Sequence, residues 1–341
     1  MMGLNATDVL ERAALLADLP PSARDELRSI ARPFAVSAGA LLFRQGDRPG
    51  GLYLLGEGLL EIASRMPGDD AALVSRIAPG EVVGEFALLD NGLRSANVRA
   101  LEDSSGLFVP ARAFLALLGD ARPGAVGAID ALRGLVARRT RATLERIVTG
   151  ELAEPSELRA APVAAPIGSG ADPVALTFDM IRSLGRFARL DDAACAALCA
   201  CAAASQVERG SALFAAGSPS DAALFVMRGA VRAGIERASN EQEGQVEQVA
   251  IHGPGEWAGL VALIDGGLQP LAASVAETAI VLRVQRRTFD GWRRAPDALG
   301  QAVLRGVDRQ LVRDQRRANR HLGRAIALDR FNAAANSNGG G

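Results

Sequence analysis

The sequence contains no lysine, so arginine supplies all 38 of its basic side chains. We interpret this mainly as the codon bias of a GC-rich bacterial genome. Without lysine a GxxxxGK[ST] phosphate-binding loop cannot occur, and neither a GxSxG nor an HExxH motif is present. With two His and one Tyr, acid–base catalysis has few candidate residues. The sequence therefore predicts a protein that is not an enzyme and has no catalytic residue.

Cysteine is also scarce, and its three copies lie close together at Cys195, Cys199 and Cys201. A structural metal site usually needs four ligands in a defined geometry. Only His252 and His321 could add imidazole ligands. We therefore expect no metal site, and we interpret the cysteines as small side chains that fill an Ala-rich helix. A redox role is the alternative.

Long apolar runs and an excess of charge of one sign are absent as well. No stretch of about 18 apolar residues occurs, so we expect no membrane span and a cytoplasmic protein. The formal net charge of −1 gives no general attraction to nucleic acid. With 341 residues and an apolar fraction of 49%, the chain is long enough for two packed domains.

The order of helical and extended patterns predicts the same unit twice. Two helical segments precede short apolar runs separated by Gly, Pro, Asp and Asn, and helical periodicity returns after them. Short runs at this spacing are typical of a small antiparallel barrel or jelly roll. We predict an α+β, mainly β fold of two jelly-roll-like barrels, each flanked by helices. The predicted boundaries are 1–149 for domain 1, 150–173 for an Ala/Pro/Gly-rich linker, 174–330 for domain 2 and 331–341 for a disordered tail.

The segment GEFALLDNGLRSA, residues 84–96, is the most informative stretch of the sequence. Gly84 lets the backbone approach a ligand closely, and the apolar run after Glu85 can form one helical turn. Arg94 can hold a phosphate with two parallel hydrogen bonds. Glu85 can only accept hydrogen bonds, which suits a sugar hydroxyl. The pattern therefore predicts a pocket for one phosphate and one ribose. The alternative is an exposed ion pair on a loop, which would be weak.

A near copy of this segment occurs at 255–275, but it lacks both charged groups. Leu260 stands where the first copy has Glu85, and Gln269 stands where it has Arg94. Gln offers only a dipole to a phosphate, and Pro270, the next residue, has no backbone donor. We therefore expect the second copy to keep the fold and not to bind the same ligand. A structural or partner-binding role is the expectation, and a different, apolar ligand is the alternative.

Both copies resemble the cyclic-nucleotide-binding domains of the bacterial catabolite activator protein and of the regulatory subunits of cAMP-dependent kinases. The resemblance implies a phosphate-binding cassette at 84–96 that takes cAMP or cGMP. It assigns the ribose 2′-hydroxyl to Glu85 and the cyclic phosphate to Arg94. Ser95 and the backbone N–H groups of Ala87 and Leu88 lie beside them, and the predicted site contains these residues: Gly84, Glu85, Phe86, Ala87, Leu88, Arg94, Ser95 and Ala96.

The same resemblance leads us to expect cAMP rather than cGMP, because Ser95 occupies a position where Thr often accompanies cGMP. Adenine contacts could come from the following helix, at Arg133, Arg138, Thr140 or Thr143. The expected function is a cyclic-nucleotide sensor that regulates an unknown protein partner. A structural adaptor that binds no nucleotide is one alternative. A DNA-binding regulator is the other.

The last predicted helix offers two possible interaction surfaces. Arginines from 305 to 324 lie largely on one stripe, but interleaved Asp residues favour a solvated face over DNA binding. A second stripe has three- and four-residue steps and predicts a homodimer through residues 300–328. Packing of this helix on its own barrel is the alternative. The second stripe consists of Leu304, Val307, Leu311, Ala318, Ala325 and Leu328.

Overall fold

The computed structural model describes residues 6–65, 71–90, 92–149, 171–236, 246–294 and 297–338. Contacts divide the chain into two compact units. Unit 1 consists of Met1–Leu135 and Gly323–Gly341, and unit 2 consists of Val136–Leu322. The boundaries between the units fall inside two long helices. The predicted linker at 150–173 lies outside the described residues as far as residue 170.

Unit 1 opens with two helices, continues with strands and ends in helices. Its strands are β1 (Arg32–Val36), β2 (Leu41–Phe43), β3 (Gly51–Glu57), β4 (Leu60–Arg65), β5 (Ala71–Ile77), β6 (Val82–Val83), β7 (Asn97–Ala100) and β8 (Ser104–Pro110). Its helices are α1 (Ala6–Arg12), α2 (Pro21–Ile30), α3 (Phe86–Leu89) and α4 (Ala111–Gly119), and α5 (Pro123–Thr149) begins in it.

The strands of unit 1 form two antiparallel sheets of four strands each. The first has the order β1-β8-β3-β6 and the second has the order β2-β7-β4-β5. Strands far apart in the sequence lie side by side, as in a jelly roll. Apolar side chains from both sheets meet in one core, which includes Leu55, Leu60, Ile77, Val83 and Val98.

Unit 2 repeats this element order with longer strands. Its strands are β9 (Ala171–Pro173), β10 (Ala202–Val207), β11 (Ala212–Phe214), β12 (Ala222–Glu236), β13 (Val246–His252), β14 (Trp257–Ala258) and β15 (Ala272–Gln285). Its helices are α6 (Phe178–Ser183), α7 (Asp192–Cys201), α8 (Leu260–Asp265) and α9 (Arg286–Arg294), and most of α10 (Ala298–Asn338) belongs to it.

The described strands of unit 2 are joined in one seven-stranded sheet with the order β13-β12-β15-β10-β9. Strands β11 and β14 pair with β15 and β12, respectively. The long strand β12 replaces β3 and β4 of unit 1, and β15 replaces β7 and β8. Register shifts in their pairing bend the sheet around an apolar core. The predicted α+β fold of two jelly-roll-like units with flanking helices is confirmed.

Three details differ from the sequence-based expectation. Ala171–Pro173, assigned to the linker, pairs with β10 as an edge strand, where proline is tolerated. Helix α10 continues to Asn338 through part of the predicted disordered tail. Thr140 and Thr143 of α5 belong to unit 2, and both side chains hydrogen-bond to Gln315.

The stripe that predicted a homodimer is largely buried inside one chain. The side chains of Leu304, Val307, Leu311 and Ala318 are at most 5% exposed, whereas Leu328 is 62% exposed. Packing within one chain accounts for these four residues without a second copy, which is the alternative weighed from the sequence. The homodimer stays a prediction.

Two glycines of unit 1 test how closely the chain packs around the turn between β3 and β4. Gly58 and Gly39 have φ angles of +90° and +79°, so alanine at either position pays the cost of a left-handed backbone, about 1–2 kcal/mol. A methyl group on Gly58 would also collide with Ser104 Oγ and the Asp103 carbonyl, whereas nothing lies within 4 Å at Gly39. We expect Gly58→Ala to destabilise the protein by about 2–5 kcal/mol, about 1–3 kcal/mol more than Gly39→Ala. Urea unfolding followed by circular dichroism measures both, and equal midpoints would contradict the packing described.

Candidate ligand-binding site

The candidate site of unit 1 lies at the turn between β6 and β7. Gly84, with a φ angle of +84°, turns the chain out of β6. The predicted helical turn forms as α3, and Glu85 is its N-cap residue. The backbone N–H groups of Ala87 and Leu88 donate to the carbonyls of Gly84 and Glu85 at 3.1 and 3.0 Å. These two N–H groups, which the resemblance assigns to the phosphate, are therefore engaged within the turn.

Arg94 returns from the loop after α3 and is buried beneath this turn, with 6% of its surface exposed. Its Nη1 donates to the Gly84 carbonyl at 3.0 Å and its Nη2 donates to the Gly51 carbonyl at 2.8 Å. Its guanidinium carbon lies 4.0 Å from the centre of the Phe43 ring. Nε is buried and has no hydrogen-bond partner among the described residues. Two hydrogen bonds to neutral carbonyls and one aromatic face hold the cation in place.

The backbone of Arg94 is fixed as firmly as its side chain. Its N–H donates to the Asp47 carbonyl and its carbonyl accepts from the Gly46 N–H, both at 2.9 Å. These bonds connect the loop before β7 to the turn after β2. The backbone from which the guanidinium extends is therefore held in one position.

Glu85 and Tyr53 complete the electrostatic surroundings of Arg94. Burial lowers the pKa of Arg94, while the charges of Tyr53 and Glu85 act in the opposite direction. Burial likewise raises the pKa of Tyr53, against the influence of Arg94. Glu85 is only 5% exposed, so the site is not an exposed ion pair on a loop. The structure thus brings the two predicted ligand groups together in a buried setting.

The other predicted site residues surround this pair. Ala87, Leu88 and Ala96 are buried, and Phe86 and Ser95 are half-buried. Sequence reasoning missed Gly51, Phe43 and Tyr53, which contact or influence Arg94 from β2 and β3. A signal existed for one of them, since the repeat retains Phe43 as Phe214.

The corresponding place in unit 2 has the same backbone without the charge. Gln269 is 4% exposed, its N–H donates to the Ser218 carbonyl at 2.9 Å, and its carbonyl accepts from the Gly217 N–H at 2.8 Å. Gly259 has a φ angle of +81°, and a methyl group there would lie 2.8 Å from Gln269 Nε2. Leu260, 2% exposed, replaces the carboxylate. Unit 2 therefore keeps the geometry of the turn and lacks its cation.

The sequence also singled out possible metal ligands, three cysteines, an arginine stripe and the lack of a long apolar run. No cluster of three or more His, Cys, Asp or Glu in the described parts of the chain could hold a metal ion. Cys195, Cys199 and Cys201 have free thiols on or at the end of α7. Within the arginine stripe of α10, Arg313 pairs with Glu256 at 2.8 Å and Arg317 pairs with Asp314 at 3.4 Å. None of the helices that the structure describes is long and apolar enough to cross a membrane.

Comparison with curated proteins finds partial relatives. Over 114 residues, 33% of this chain, the sequence is 32% identical to a lysophospholipase of Aspergillus fumigatus, and the match covers 7% of that protein. Over 80 residues, 24% of this chain, it is 36% identical to the cyclic AMP receptor protein of Thermus thermophilus, of which 37% is covered. The chain thus spans well under half the length of these relatives.

Comparison with solved structures gives a likeness to the regulatory domain of Toxoplasma gondii PKA with cAMP. It covers 87% of this chain and 92% of that chain, with 16% identity and a TM-score of 0.32.

The cyclic nucleotide-binding domain family matches this sequence twice, over residues 33–120 and 204–294. The first match contains the whole turn with Glu85 and Arg94, and the second contains its uncharged copy. Together the two segments make up just over half of the chain. The chain therefore belongs to the cyclic nucleotide-binding domain family and contains two such domains in tandem.

Proposed function

We propose that this protein is a cyclic-nucleotide sensor that binds one nucleotide, preferably cAMP, in its first domain and regulates a protein partner. The observation that carries the proposal is the buried guanidinium of Arg94 beside the buried carboxylate of Glu85. Family membership supports a cyclic nucleotide as the ligand class. The site is therefore proposed to consist of Gly84–Leu88 and Arg94–Ala96.

A cyclic phosphate matches what Arg94 offers. A buried charge is costly unless it is paired and hydrogen-bonded. The hydrogen bonds described above use only neutral carbonyls, and Nε keeps an unused donor. A phosphate monoanion supplies both a countercharge and strong acceptor oxygens, and arginine binds phosphate with a planar pair of donors.

Glu85 suits the ribose for a different reason. An ionised carboxylate only accepts hydrogen bonds, so it would repel a phosphate and attract a hydroxyl. One acceptor and one cation in the same small pocket therefore select a ligand that carries a hydroxyl close to an anionic phosphate. A ribose 3′,5′-cyclic phosphate has this arrangement.

The second domain is proposed to bind no cyclic nucleotide. Leu260 and Gln269 provide neither the carboxylate nor the cation, and both are buried. We favour a structural or partner-binding role for this domain over nucleotide binding.

Regulation requires that the nucleotide favours one arrangement of the protein over another. Helices α4 and α5 follow the last strand of unit 1 directly, and the family resemblance assigns the moving part to residues 110–148. The protein partner is not identified by the sequence. Cytoplasmic location, the absence of enzyme activity and a homodimer through residues 300–328 remain predictions.

The variant Arg94→Gln tests the proposal without disturbing the fold. Gln269 already occupies the equivalent place in unit 2, so the turn accommodates this side chain. Loss of one partner of a buried charged pair costs about 2–5 kcal/mol, so cAMP binding should weaken by at least about 30-fold. Isothermal titration calorimetry measures the change.

Arg99→Gln is the matched control, because Arg99 lies on β7 nearby and is exposed. It removes the same charge and should leave the affinity unchanged. Equal effects of the two substitutions would remove Arg94 from the site. If the parent protein binds neither cAMP nor cGMP, the structural adaptor is the better interpretation. Salt-dependent DNA binding would instead favour the DNA-binding regulator.

Stoichiometry provides a second test. Only one of the two domains has the charged pair, so the full-length chain should bind one nucleotide per polypeptide at saturation. Calorimetry or equilibrium dialysis with cAMP gives this number directly. A value of two would show that Gln269 and Leu260 can support binding.

Base preference is tested at Ser95. We expect cAMP to bind more tightly than cGMP, and we expect Ser95→Thr to shift the ratio toward cGMP. Serine already carries this hydroxyl, and threonine holds it in fewer rotamers, so the gain should not exceed the contribution of one hydrogen bond, about 0.5–1.5 kcal/mol or two- to tenfold. Competition titrations in which the parent protein prefers cGMP would reverse the assignment.

A further inference from the structure

Unit 2 holds the guanidinium of Arg186 between two glycines. Arg186 lies in the 3₁₀ turn Gly185–Phe187, which follows α6. A methyl group at Gly306 of α10 would lie 2.0 Å from Arg186 Nη1, and a methyl group at Gly255 would lie 3.6 Å from its Nε and Nη2. The guanidinium carbon lies 5.8 Å from the centre of the Phe225 ring. Arg186 therefore packs between α10 and the turn that joins β13 to β14.

Two further arginines lie on the face of α10 that Arg186 contacts. Arg309 and Arg313 follow Gly306 by three and seven residues and share its side of the helix. One carboxylate reaches the same place, because Glu256, in the turn before β14, pairs with Arg313 Nη1 at 2.8 Å. Arg186 Nη1, in contrast, is buried and has no hydrogen-bond partner in the described part of the chain.

The charges of this cluster do not balance. Burial lowers the pKa of Arg186, and the charge of Arg313 lowers it further. Glu256 acts in the opposite direction, and Arg309 again lowers this pKa. Three arginines and one carboxylate leave an excess of two positive charges. Like charges held together in a partly buried setting repel each other, so an anion at this place would remove a cost that the protein otherwise carries.

Unit 1 has the same fold without this cluster. When the copies are aligned through the phenylalanine that they share on β2 and β11, Leu15 stands at the place of Arg186. When α5 and α10 are aligned through their buried apolar positions, Gly134 stands at the place of Arg309. The fold therefore does not require these two cations, and their presence in unit 2 needs an explanation specific to that unit.

Accessible donors are present in the cluster. Arg309 is exposed, and the side chain of Arg313 is 40% exposed. Side chains four residues apart on a helix begin about 5–6 Å from each other, so two guanidinium groups at this spacing can contact the same phosphate. Arg186 is half-buried and adds its charge at the same place.

We propose that Arg186, Arg309 and Arg313 form a binding site for a phosphate group, either inorganic phosphate or a small phosphate monoester. A phosphate monoester carries about −1.5 to −2 charges at pH 7, which matches the excess of two positive charges. A carboxylate or a phosphodiester would cancel only about half of it. The planar donors of arginine also suit phosphate oxygens. This site is separate from the nucleotide site and does not rest on the proposed function.

Inorganic phosphate is the first probe, and the full-length variant Arg94→Gln is the background. This background removes the other buried guanidinium that is proposed to bind phosphate. Isothermal titration calorimetry at constant ionic strength should show saturable binding of one phosphate per chain. The absence of saturable binding would overturn the proposal.

Two variants in the same background locate the binding. Arg309→Gln should weaken it by at least about tenfold, the contribution of one hydrogen bond to a charged group. Arg186→Met keeps a long flexible side chain and should weaken it by at least about fivefold through the lost charge. Because Arg309 is exposed, its variant keeps the proposal testable if Arg186→Met fails to fold.

Arg209→Gln is the matched control, since Arg209 is exposed in the turn between β10 and β11. It removes the same charge from unit 2 and should leave the phosphate affinity unchanged. Equal losses in Arg209→Gln and Arg309→Gln would show a general effect of net charge and would overturn the proposal.

Two further ligands identify the source of the phosphate group. Glycerol 3-phosphate that competes with inorganic phosphate would assign the site to a monoester, and the absence of competition would assign it to free phosphate. A DNA duplex is the third probe, because it presents only phosphodiesters. Salt-dependent binding of the duplex without saturable binding of inorganic phosphate would assign these arginines to nucleic acid and overturn the proposal.

Discussion

One buried guanidinium brings together the residues of the candidate site in the first domain. Arg94 donates to carbonyls at the end of β6 and at the start of β3 and lies on the aromatic ring of Phe43 in β2. A side chain at Gly84 would collide with this guanidinium. The arginine therefore depends on the glycine for space and on the aromatic ring for contact.

Unit 2 shows how much of this arrangement belongs to the fold alone. The backbone bonds around Gln269 repeat those around Arg94 within 0.1 Å, and Gly259 repeats the positive φ angle of Gly84. The turn therefore forms without the cation. What differs is the chemistry that lines the pocket, in agreement with the general separation of fold and function. A charged pocket on one unit and a more apolar cavity on the other are built on the same turn.

The sequence predicted those features whose cause is local. One helical turn at α3 follows from an apolar run after a glycine, and the position of Glu85 and Arg94 at the two ends of one turn follows from their spacing. Phe43 and Tyr53 were missed, because strand pairing across more than 40 residues brings them to Arg94. The assignment of Thr140 to unit 2 was missed as well. Helical periodicity locates an apolar face, but it does not show which partner that face contacts.

The central claim is that the cation at Arg94 makes unit 1 the nucleotide site and that its loss at Gln269 makes unit 2 a different one. A crystal structure of the full-length chain grown with cAMP tests this most directly. We expect one nucleotide per chain, with its phosphate oxygens about 2.7–2.9 Å from the guanidinium of Arg94 and a ribose hydroxyl on Glu85. A nucleotide bound in the cavity beside Trp257, or a phosphate without contact to Arg94, would contradict the account.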